Sequence, residues 1–561
     1  MTRIQQIFKD LKDNLQTLYV RQKMSINQYI TKKDAIIITL LLVAGFIFRI
    51  VGIDFGLPQL FHPDEPALVN RAYHMVVSGD LNPHFFNYPS LVIYLLYGVF
   101  SLQHFIFGSL TRTDLYLTAR IVVAIMGTIT ILLTYLIGRK LYNNEIGIIA
   151  AAFIAFTPLA VNDSHYATVD VPLMFFVTLA FLAICYLIHT GSLRWYVLSG
   201  IFIGLSAAAK YNGALMGLVL LVAFLLRIRL YTKKSRRPIF EEFKKLLAAY
   251  CATAITFAIS SPYIILDHSK SIKDIMFEIN HMRAGHGVLF SETPIGYIHH
   301  LQTSLYSGLT PVLELISILG LILIVYTVFR KDSKGKNVTA GILILTWVLS
   351  YYAIIGSWEV KFPRYVIPLL PFLALSAAYF TYWISQKGSL LIQERGVKWD
   401  KKYQTWILSA LTLSCLVFPV YASLNVDATF TTKDTREAAL DWIDTHLPSN
   451  SVIVREAYTP EIELLKKHKV KVRSLSNKLL EDSDDIDYII TSSSTYGRYF
   501  AHPAGSAGVI AFYNSLDEKY ILVKEFEPAQ KMDIMPYGGP LEEIKGPLTG
   551  PIIKIYHVYG A

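Results

Sequence analysis

The apolar run AIIITLLLVAGFIFRIVGI, residues 35–53, is followed closely by FHPDEPALVNR, residues 61–71. The first stretch is long and apolar enough to cross the roughly 30 Å hydrocarbon layer of a bilayer. The second places the adjacent carboxylates of Asp64 and Glu65 beside a membrane surface. Ionisable groups are costly there without a partner, so the pair indicates a functional site. The alternative is a solvated turn, because Pro-Asp-Glu-Pro is typical of turns.

The composition extends this pattern over the whole chain. Of 561 residues, 53% are hydrophobic and only 17% are charged, as in a polytopic membrane protein. The net charge of +10 comes from Lys and Arg in short loops, where they set membrane topology, so we expect no nucleic-acid partner. A disulfide framework and a CxxC metal site are both excluded, because every cysteine lies in an apolar run: Cys185, Cys251 and Cys415.

The basic residues predict the orientation of the chain in the membrane. Residues 1–34 are a basic leader, which places the N-terminus in the cytoplasm and the Asp64-Glu65 pair outside the cytoplasmic membrane. No cleavable signal peptide is predicted, because the first apolar run lacks a small-residue cleavage site. The later basic loops alternate consistently with eleven spans: residues 35–53, 119–137, 145–160, 171–188, 195–209, 213–227, 246–264, 311–329, 338–356, 365–386 and 404–423.

A further apolar helix, Ser90 to Phe107, lies within the first outer loop, residues 54–118. The span after it ends in Arg139-Lys140, a basic end that belongs inside the cell. A full crossing by residues 90–107 would invert this and every later loop. We therefore interpret it as an interfacial or re-entrant helix, with a full crossing as the alternative.

The pattern becomes polar after residue 425. Thr435 to His446 has the chemistry of a helix, with Thr432 or Asp434 as its cap. Short β-rich runs follow at residues 451–454, 470–473, 486–490, 520–523 and 552–558. The predicted fold is therefore mostly α: a polytopic membrane helical bundle, residues 35–425, with a C-terminal soluble α/β domain outside the membrane, residues 426–561.

This topology collects four polar sequences on the outer face: residues 62–65, 162–170, 210–213 and 361–365. Three cations among them lie against the positive-inside bias: Lys210, Lys361 and Arg364. An anion on that face, such as a phosphate or pyrophosphate, explains them. The alternative is that they reach outward to lipid headgroups.

Other polar residues have two interpretations each. Asp170 precedes Val171-Pro172 and either caps a helix or binds a cation or a substrate hydroxyl. His165 either binds phosphate or a metal, or makes local hydrogen bonds. The ring of Tyr88 either belongs to an interfacial belt or stacks on a sugar. No cofactor is otherwise predicted. The metal site is unknown, and a divalent metal ion, if one binds, would use Asp64 and Asp170. The histidines of residues 267–302 match no standard zinc spacing.

The chain resembles the GT-C superfamily of integral-membrane glycosyltransferases, in the branch with the protein O-mannosyltransferases and the lipid A aminoarabinose transferases. The resemblance covers about residues 30–390. Its motifs are Asp64-Glu65, Asn87-Tyr88-Pro89-Ser90, Ala119-Arg120, Thr168 to Leu173, Ala209 to Gly213, and Phe362-Pro363-Arg364-Tyr365. Relatives often have His-Pro-Pro where this chain has Asn87-Tyr88-Pro89, and the luminal insert domain of the eukaryotic protein O-mannosyltransferases is not found here.

The resemblance implies transfer of a sugar from a polyprenyl-phosphate donor at the outer face, with Asp64 as catalytic base. A carboxylate within reach can take the proton of an attacking acceptor hydroxyl, on a protein, lipid or glycan, and direct displacement inverts the anomeric centre. Glu65 is assigned to the catalytic site beside Asp64, where we expect it to orient the acceptor or Arg71. The remaining assignments are donor-phosphate binding by Lys210, Arg364, Lys361 and Arg71, and substrate orientation by Asp170, His165, Tyr211 and Tyr88. The competing hypothesis is a flippase or transporter for a lipid-linked saccharide, without chemistry of its own.

Overall fold

The computed structural model describes residues 31–231, 236–330, 335–394, 401–475, 485–528 and 548–558. Most of the predicted leader lies outside these residues. Long helices build the first two thirds of the chain: α1 (Lys32–Ile50), α2 (Glu65–Ser78), α3 (Leu91–Phe107), α4 (Arg112–Leu141), α5 (Asn144–Ala155), α6 (Pro158–Asp163), α7 (Asp170–Thr190), α8 (Leu193–Ala209), α9 (Met216–Tyr231), α10 (Arg236–Ser260), α11 (His268–Ala284), α12 (Pro311–Phe329), α13 (Lys336–Ile355), α14 (Leu370–Glu394) and α15 (Lys401–Thr431).

Short helical turns join some of these helices. They are the α-helical turns Tyr263–Leu266, Gly296–His299 and Tyr306–Leu309, the 3₁₀ turns Tyr211–Leu215 and Pro363–Leu369, and the π-helical turn His300–Leu305.

A helix lies at each of the eleven predicted spans. Within the described residues, eight segments are long and apolar enough to cross a membrane: Arg112–Leu141, Asp170–Thr190, Tyr211–Arg229, Ile239–Ser260, Pro311–Phe329, Lys336–Ile355, Pro363–Leu390 and Tyr403–Thr431. The predicted spans 145–160 and 195–209 fall on the shorter apolar helices α5 and α8. The multi-pass membrane bundle is therefore confirmed, and the exact number of crossings stays a prediction.

Small residues let neighbouring helices of the bundle approach closely. A Cβ atom on Gly138 of α4 would lie 2.7 Å from the Cα of Gly147 in α5. On Gly200 of α8, it would lie 2.0 Å from the carbonyl oxygen of Ala249 in α10. The backbones of these helix pairs are thus in direct contact, and a side chain at either glycine would overlap the backbone of the neighbouring helix.

Residues 54–118, the predicted first outer loop, contain a helix that the sequence analysis did not predict. Helix α2 has Pro66 in its first turn, where proline is tolerated, and ends at Gly79 in the left-handed conformation, with φ of 73°. Its buried face includes Leu68 and Met75, which pack in the same apolar cluster as α3. Helix α2 is short and carries Asn, Arg and His between its apolar residues, so it has no long apolar run to reveal it.

The C-terminal residues form the predicted α/β unit. Helix α15 runs to Thr431, beyond the predicted boundary, and α16 (Thr435–His446) follows with Asp434 as its N-cap in a capping box with Glu437. The strands are β1 (Val452–Arg455), β2 (Lys469–Val472), β3 (Tyr488–Ser492), β4 (Ile521–Phe526) and β5 (Ile553–His557). They form one sheet in the order β2-β1-β3-β5-β4, parallel for the first three strands. Two unpredicted helices and a 3₁₀ turn complete the unit: α17 (Ser493–Ala501), α18 (Ala507–Lys519) and Ile462–Leu465.

Candidate functional site

Four charged side chains from distant parts of the sequence meet in one cluster. The guanidinium Nη2 of Arg364 lies 3.0 Å from Oδ2 of Asp64. The ammonium Nζ of Lys210 donates to Oδ1 of Asp170 at 2.7 Å. The second carboxylate oxygen of Asp170 lies 3.9 Å from Nε of Arg364. Acids and cations therefore alternate in the order Asp64, Arg364, Asp170, Lys210. The structure thus brings Asp64, Lys210 and Arg364 together, as the sequence analysis expected.

Helix ends place these groups side by side. Asp64 directly precedes α2, and Asp170 is the first residue of α7. Lys210 follows the last residue of α8 in an extended conformation, and the 3₁₀ turn after it folds back so that Ser206 Oγ donates to the Gly213 carbonyl at 3.1 Å. Every member of the cluster thus stands where a helix begins or ends, and these helix ends bring the four charged side chains together.

Aromatic rings line the cluster. The Lys210 ammonium lies 4.8 Å from the ring centre of Tyr365 and 6.0 Å from that of Tyr88, and Arg364 lies 4.5 Å from the ring centre of Phe362. Such cation–π contacts hold a cation in place without neutralising it. Burial and the nearby Asp64 carboxylate raise the pKa of Tyr88 well above its ordinary value, so the ring faces the cluster as a neutral phenol.

The carboxyl group of Asp64 is ionised in this environment. Burial alone raises its pKa, but the positive charges of Arg364 and, after it, Lys210 outweigh that effect and leave the pKa below its ordinary value. Burial lowers the pKa of His62 to about 4, so its neutral ring can accept the hydrogen bond that the Asp64 amide donates to Nδ1 at 3.1 Å. With 28% of its side-chain surface exposed, Asp64 is ionised, held in place and still accessible.

Asp163, in the polar sequence of residues 162–170, was not singled out as a site residue. It is buried, and this burial, followed by the charge of Asp170, raises its pKa to about 7. The Asn162 amide donates to its Oδ2 at 3.3 Å. Nothing in the residue pattern distinguishes Asp163 from the other polar groups of its loop, because its environment arises only when α6 and α7 pack.

Glu65 has a different environment from that of Asp64. Its side chain is fully buried and accepts two hydrogen bonds from Arg120, at 2.8 and 2.9 Å. The Ala167 amide also donates to Oε1 at 2.9 Å. The expected pairing of Glu65 with Arg71 is therefore wrong, because the buried guanidinium of Arg120 occupies both carboxylate oxygens.

Comparison with known proteins agrees with this architecture. The family profile described as dolichyl-phosphate-mannose-protein mannosyltransferase matches residues 100–265. The chain is 24% identical over 400 residues to the undecaprenyl phosphate-alpha-4-amino-4-deoxy-L-arabinose arabinosyl transferase of Pseudomonas paraeruginosa, across 68% of this chain and 66% of that protein. It therefore spans just under two thirds of the length of that curated relative.

Two solved structures are similar over most of the chain. One is the oligosaccharyltransferase AglB from Archaeoglobus fulgidus in complex with an inhibitory peptide and a dolichol-phosphate, with a TM-score of 0.53 and 12% identity over 90% of this chain and 74% of that one. The other is ArnT from Cupriavidus metallidurans bound to undecaprenyl phosphate, with a TM-score of 0.50 and 13% identity over 93% and 97%. The protein has the GT-C fold.

Four residues expected at the site make their described contacts elsewhere. Arg71 donates to the Ala67 carbonyl of its own helix and lies over the ring of Phe85. Lys361 is buried and donates to Thr293 Oγ1 at 3.2 Å. The Tyr211 hydroxyl donates to the Phe86 carbonyl at 2.8 Å.

The fourth is His165, whose ring nitrogens lie 2.9 and 3.0 Å from the carbonyl oxygens of Val161 and Val51. Burial lowers its pKa to about 4, and its ring stacks on Phe430 at 4.1 Å. These contacts match the alternative of a local hydrogen-bonding residue.

The two predicted metal ligands, Asp64 and Asp170, each face a cation of the cluster. In the described segments, no group of three or more His, Cys, Asp or Glu side chains is arranged to hold a metal ion.

Proposed function

We propose that this GT-C protein is a glycosyltransferase that moves a sugar from a polyprenyl-phosphate donor to an acceptor hydroxyl, on a lipid, glycan or protein, at the outer face of the membrane. The observation that carries the proposal is the contact of the ionised Asp64 with Arg364, in a cluster that also holds Lys210. The named activity of the curated relative, and the polyprenyl phosphates bound to the two similar structures, support the same donor class.

Asp64 acts as the base in this proposal. The acceptor oxygen attacks the anomeric carbon while its proton passes to a carboxylate oxygen of Asp64, and the bond from that carbon to the phosphate oxygen breaks. A positioned base of this kind contributes about 10²- to 10⁴-fold in rate. Because one displacement occurs, the anomeric configuration inverts.

Lys210 and Arg364 act on the leaving group. The departing polyprenyl phosphate gains negative charge as its bond to the sugar breaks, and two cations placed beside it stabilise that charge. Arg364 presents a planar fork that suits phosphate oxygens, and Lys210 supplies a point charge. The carboxylates of Asp64 and Asp170 hold both cations at the site before the donor arrives.

Glu65 and Arg120 act through structure in this proposal. Arg120 donates through Nη1 to the carbonyls of Ile53 and Phe55, both at 2.9 Å, so the Glu65–Arg120 pair ties the start of α2 to the end of the first span. We propose that Glu65 is a positioning residue, which holds the Asp64 loop over the cluster.

Purified protein in detergent, incubated with labelled undecaprenyl-phosphate sugars, tests the activity directly. A glycosyltransferase converts the label into a new glycoside and releases undecaprenyl phosphate, whereas a flippase returns the donor unchanged. We expect Lys210→Gln and Arg364→Gln each to weaken binding of undecaprenyl phosphate by about tenfold, the effect of one charge-assisted hydrogen bond. Arg194→Gln is the matched control, because this exposed arginine lies at the opposite end of the 17-residue helix α8, about 25 Å from Lys210.

A further inference from the structure

Helix α11 carries a row of apolar side chains that the described residues leave exposed. Ile272 and Met276 are 56% and 48% exposed, and Ile279 is 39% exposed. Their spacing of four and three residues places them along one side of the helix. Lys273 and Asn280, each one residue further round, are exposed and polar. Single exposed apolar residues are ordinary, but a row of them on one helix indicates a surface that contacts a membrane or a partner.

Another side of α11 holds the segment that leads to Tyr88. Asp274 Oδ2 accepts a hydrogen bond from the Phe86 amide at 3.0 Å. One turn later, Glu278 Oε1 accepts a hydrogen bond from the Asn87 side chain at 2.7 Å. Tyr88 follows directly, and its ring lines the charged cluster. The acidic side of α11 is therefore fixed to the protein, and the apolar row is turned away from these contacts.

Both ends of α11 are tied to the ends of membrane spans. Residues 261–267 connect its start to α10, whose segment Ile239–Ser260 is long and apolar enough to cross the membrane. Near its other end, the Met282 carbonyl accepts a hydrogen bond from the Glu359 amide at 2.8 Å, shortly after α13 ends at Ile355. Because two spans end where α11 begins and ends, the helix lies along the membrane surface.

The apolar row continues the exposed apolar surface of α10. Ile255 and Ile259, near the end of α10, are exposed, and so are Ile265 and Leu266 in the connection to α11. On a membrane span, exposed apolar side chains of this kind contact lipid acyl chains. The row on α11 extends the same surface from the point where α10 leaves the bilayer. Lipid is therefore the occupant that the surroundings of the row supply.

We propose that α11 is an interfacial helix whose apolar row, Ile272, Met276 and Ile279, lies in the lipid of the leaflet beside the charged cluster. An amphipathic helix at this depth keeps its apolar side among the acyl chains and its polar side in the headgroup region. Because the acidic side of α11 holds the segment before Tyr88, the lipid fixes the depth of that segment in the membrane. This location of α11 goes beyond the proposed function and does not depend on it.

Spin labelling of the full-length protein in lipid nanodiscs tests the proposal. In a variant without the native cysteines, a nitroxide is attached to Ile272→Cys or to Met276→Cys. Oxygen concentrates among acyl chains and a nickel chelate stays in water, so the ratio of their collision rates with the label, measured by electron paramagnetic resonance, reports its depth. Ile255→Cys in α10 gives the reference for lipid, and Lys519→Cys in the C-terminal unit gives the reference for water. Lys273→Cys is the matched control on α11 itself.

We expect Ile272→Cys and Met276→Cys to give oxygen-to-nickel ratios several-fold above those of Lys273→Cys and Lys519→Cys. Ratios close to that of Lys519→Cys would place the row in water and overturn the proposal. Low accessibility to both reagents would mean that a protein partner or a second copy of the chain covers the row, which would overturn it equally. Because no turnover is measured, a protein that shows the expected ratios but transfers no sugar would contradict only the proposed function.

Discussion

Asp64 and Glu65 are neighbours in the sequence but lie in opposite environments. Asp64 is partly exposed and faces the guanidinium of Arg364, whereas Glu65 is fully buried against Arg120. The sequence predicts that both are carboxylates at a membrane surface and gives no chemical reason to distinguish them. The orientation of α2 leaves Asp64 accessible to substrate and turns Glu65 into the protein interior. The sequence therefore identified the two acids but could not assign them different roles.

At the level of single residues, the Glu65–Arg120 pair should matter for stability and Asp64 should not. Removing one partner of a buried pair leaves an uncompensated charge, which costs about 3–5 kcal/mol. We therefore expect Arg120→Ala to lower the thermal midpoint of the purified protein strongly, Glu65→Gln to lower it less, and Asp64→Asn to leave it close to that of the wild type. Equal midpoints for Arg120→Ala and the wild type would mean that the pair has no structural role.

The acid side of the pH–rate profile should depend on Arg364. The Asp64 carboxyl has a pKa below its ordinary value, so the base stays ionised as the pH falls through the usual carboxyl range. Replacing Arg364 removes the largest charge that lowers this pKa and leaves burial, which raises it. The acidic limb of kcat/KM should then move to higher pH by about 1 to 3 units in Arg364→Gln and much less in Arg364→Lys. A limb that does not move in Arg364→Gln would assign it to another group.

Among the elements, the long apolar spans, the C-terminal strands and α16 were predictable from the sequence, whereas α2 and α17 were not. Apolar runs such as residues 171–188 are recognised by their composition, and strands such as residues 552–558 by the spacing of their apolar residues. Helices α2 and α17 mix polar and apolar residues over short lengths, and their apolar faces are completed only by tertiary packing. The sequence narrowed the cap of α16 to Thr432 or Asp434, because capping chemistry is local, and the structure shows that it is Asp434.

Close packing between elements gives a prediction on glycine. In Gly200→Ala, the new methyl group would lie 2.0 Å from the Ala249 carbonyl oxygen, so α8 and α10 must separate. We expect a large fall in thermal midpoint or failure to accumulate in the membrane. Gly98→Ala in α3 is the matched control, because no atom lies within 4 Å of its new Cβ, and it should gain about 0.5–1 kcal/mol from helix propensity. Similar behaviour of the two variants would contradict the packing of α8 on α10.

For the whole molecule, topology is what brings the site together. Asp64 and Arg364 are far apart in the chain and meet because the spans between them return both to one face. The sequence predicted this convergence through the alternation of basic loops. It could not predict that Lys361 and Arg71 would make their contacts elsewhere, or that Asp163 would be buried, because loop conformation has no local signature in the sequence.

The orientation of the molecule can be tested by cysteine labelling. In a variant with Cys185, Cys251 and Cys415 replaced, single cysteines at the exposed positions Lys519 and Arg194 report opposite faces. A membrane-impermeant maleimide added to intact cells should label Lys519→Cys and leave Arg194→Cys unlabelled until the cells are opened. The reverse pattern would place the charged cluster in the cytoplasm.

The most direct measurement is transfer from labelled undecaprenyl-phosphate sugar by Asp64→Asn protein, beside Asp54→Asn, an exposed acid of the same outer loop. The account predicts that Asp64→Asn folds, binds undecaprenyl phosphate and loses about 10²- to 10⁴-fold in the rate of glycoside formation, while Asp54→Asn stays near the wild-type rate. Glycoside formation by Asp64→Asn at the wild-type rate would contradict it.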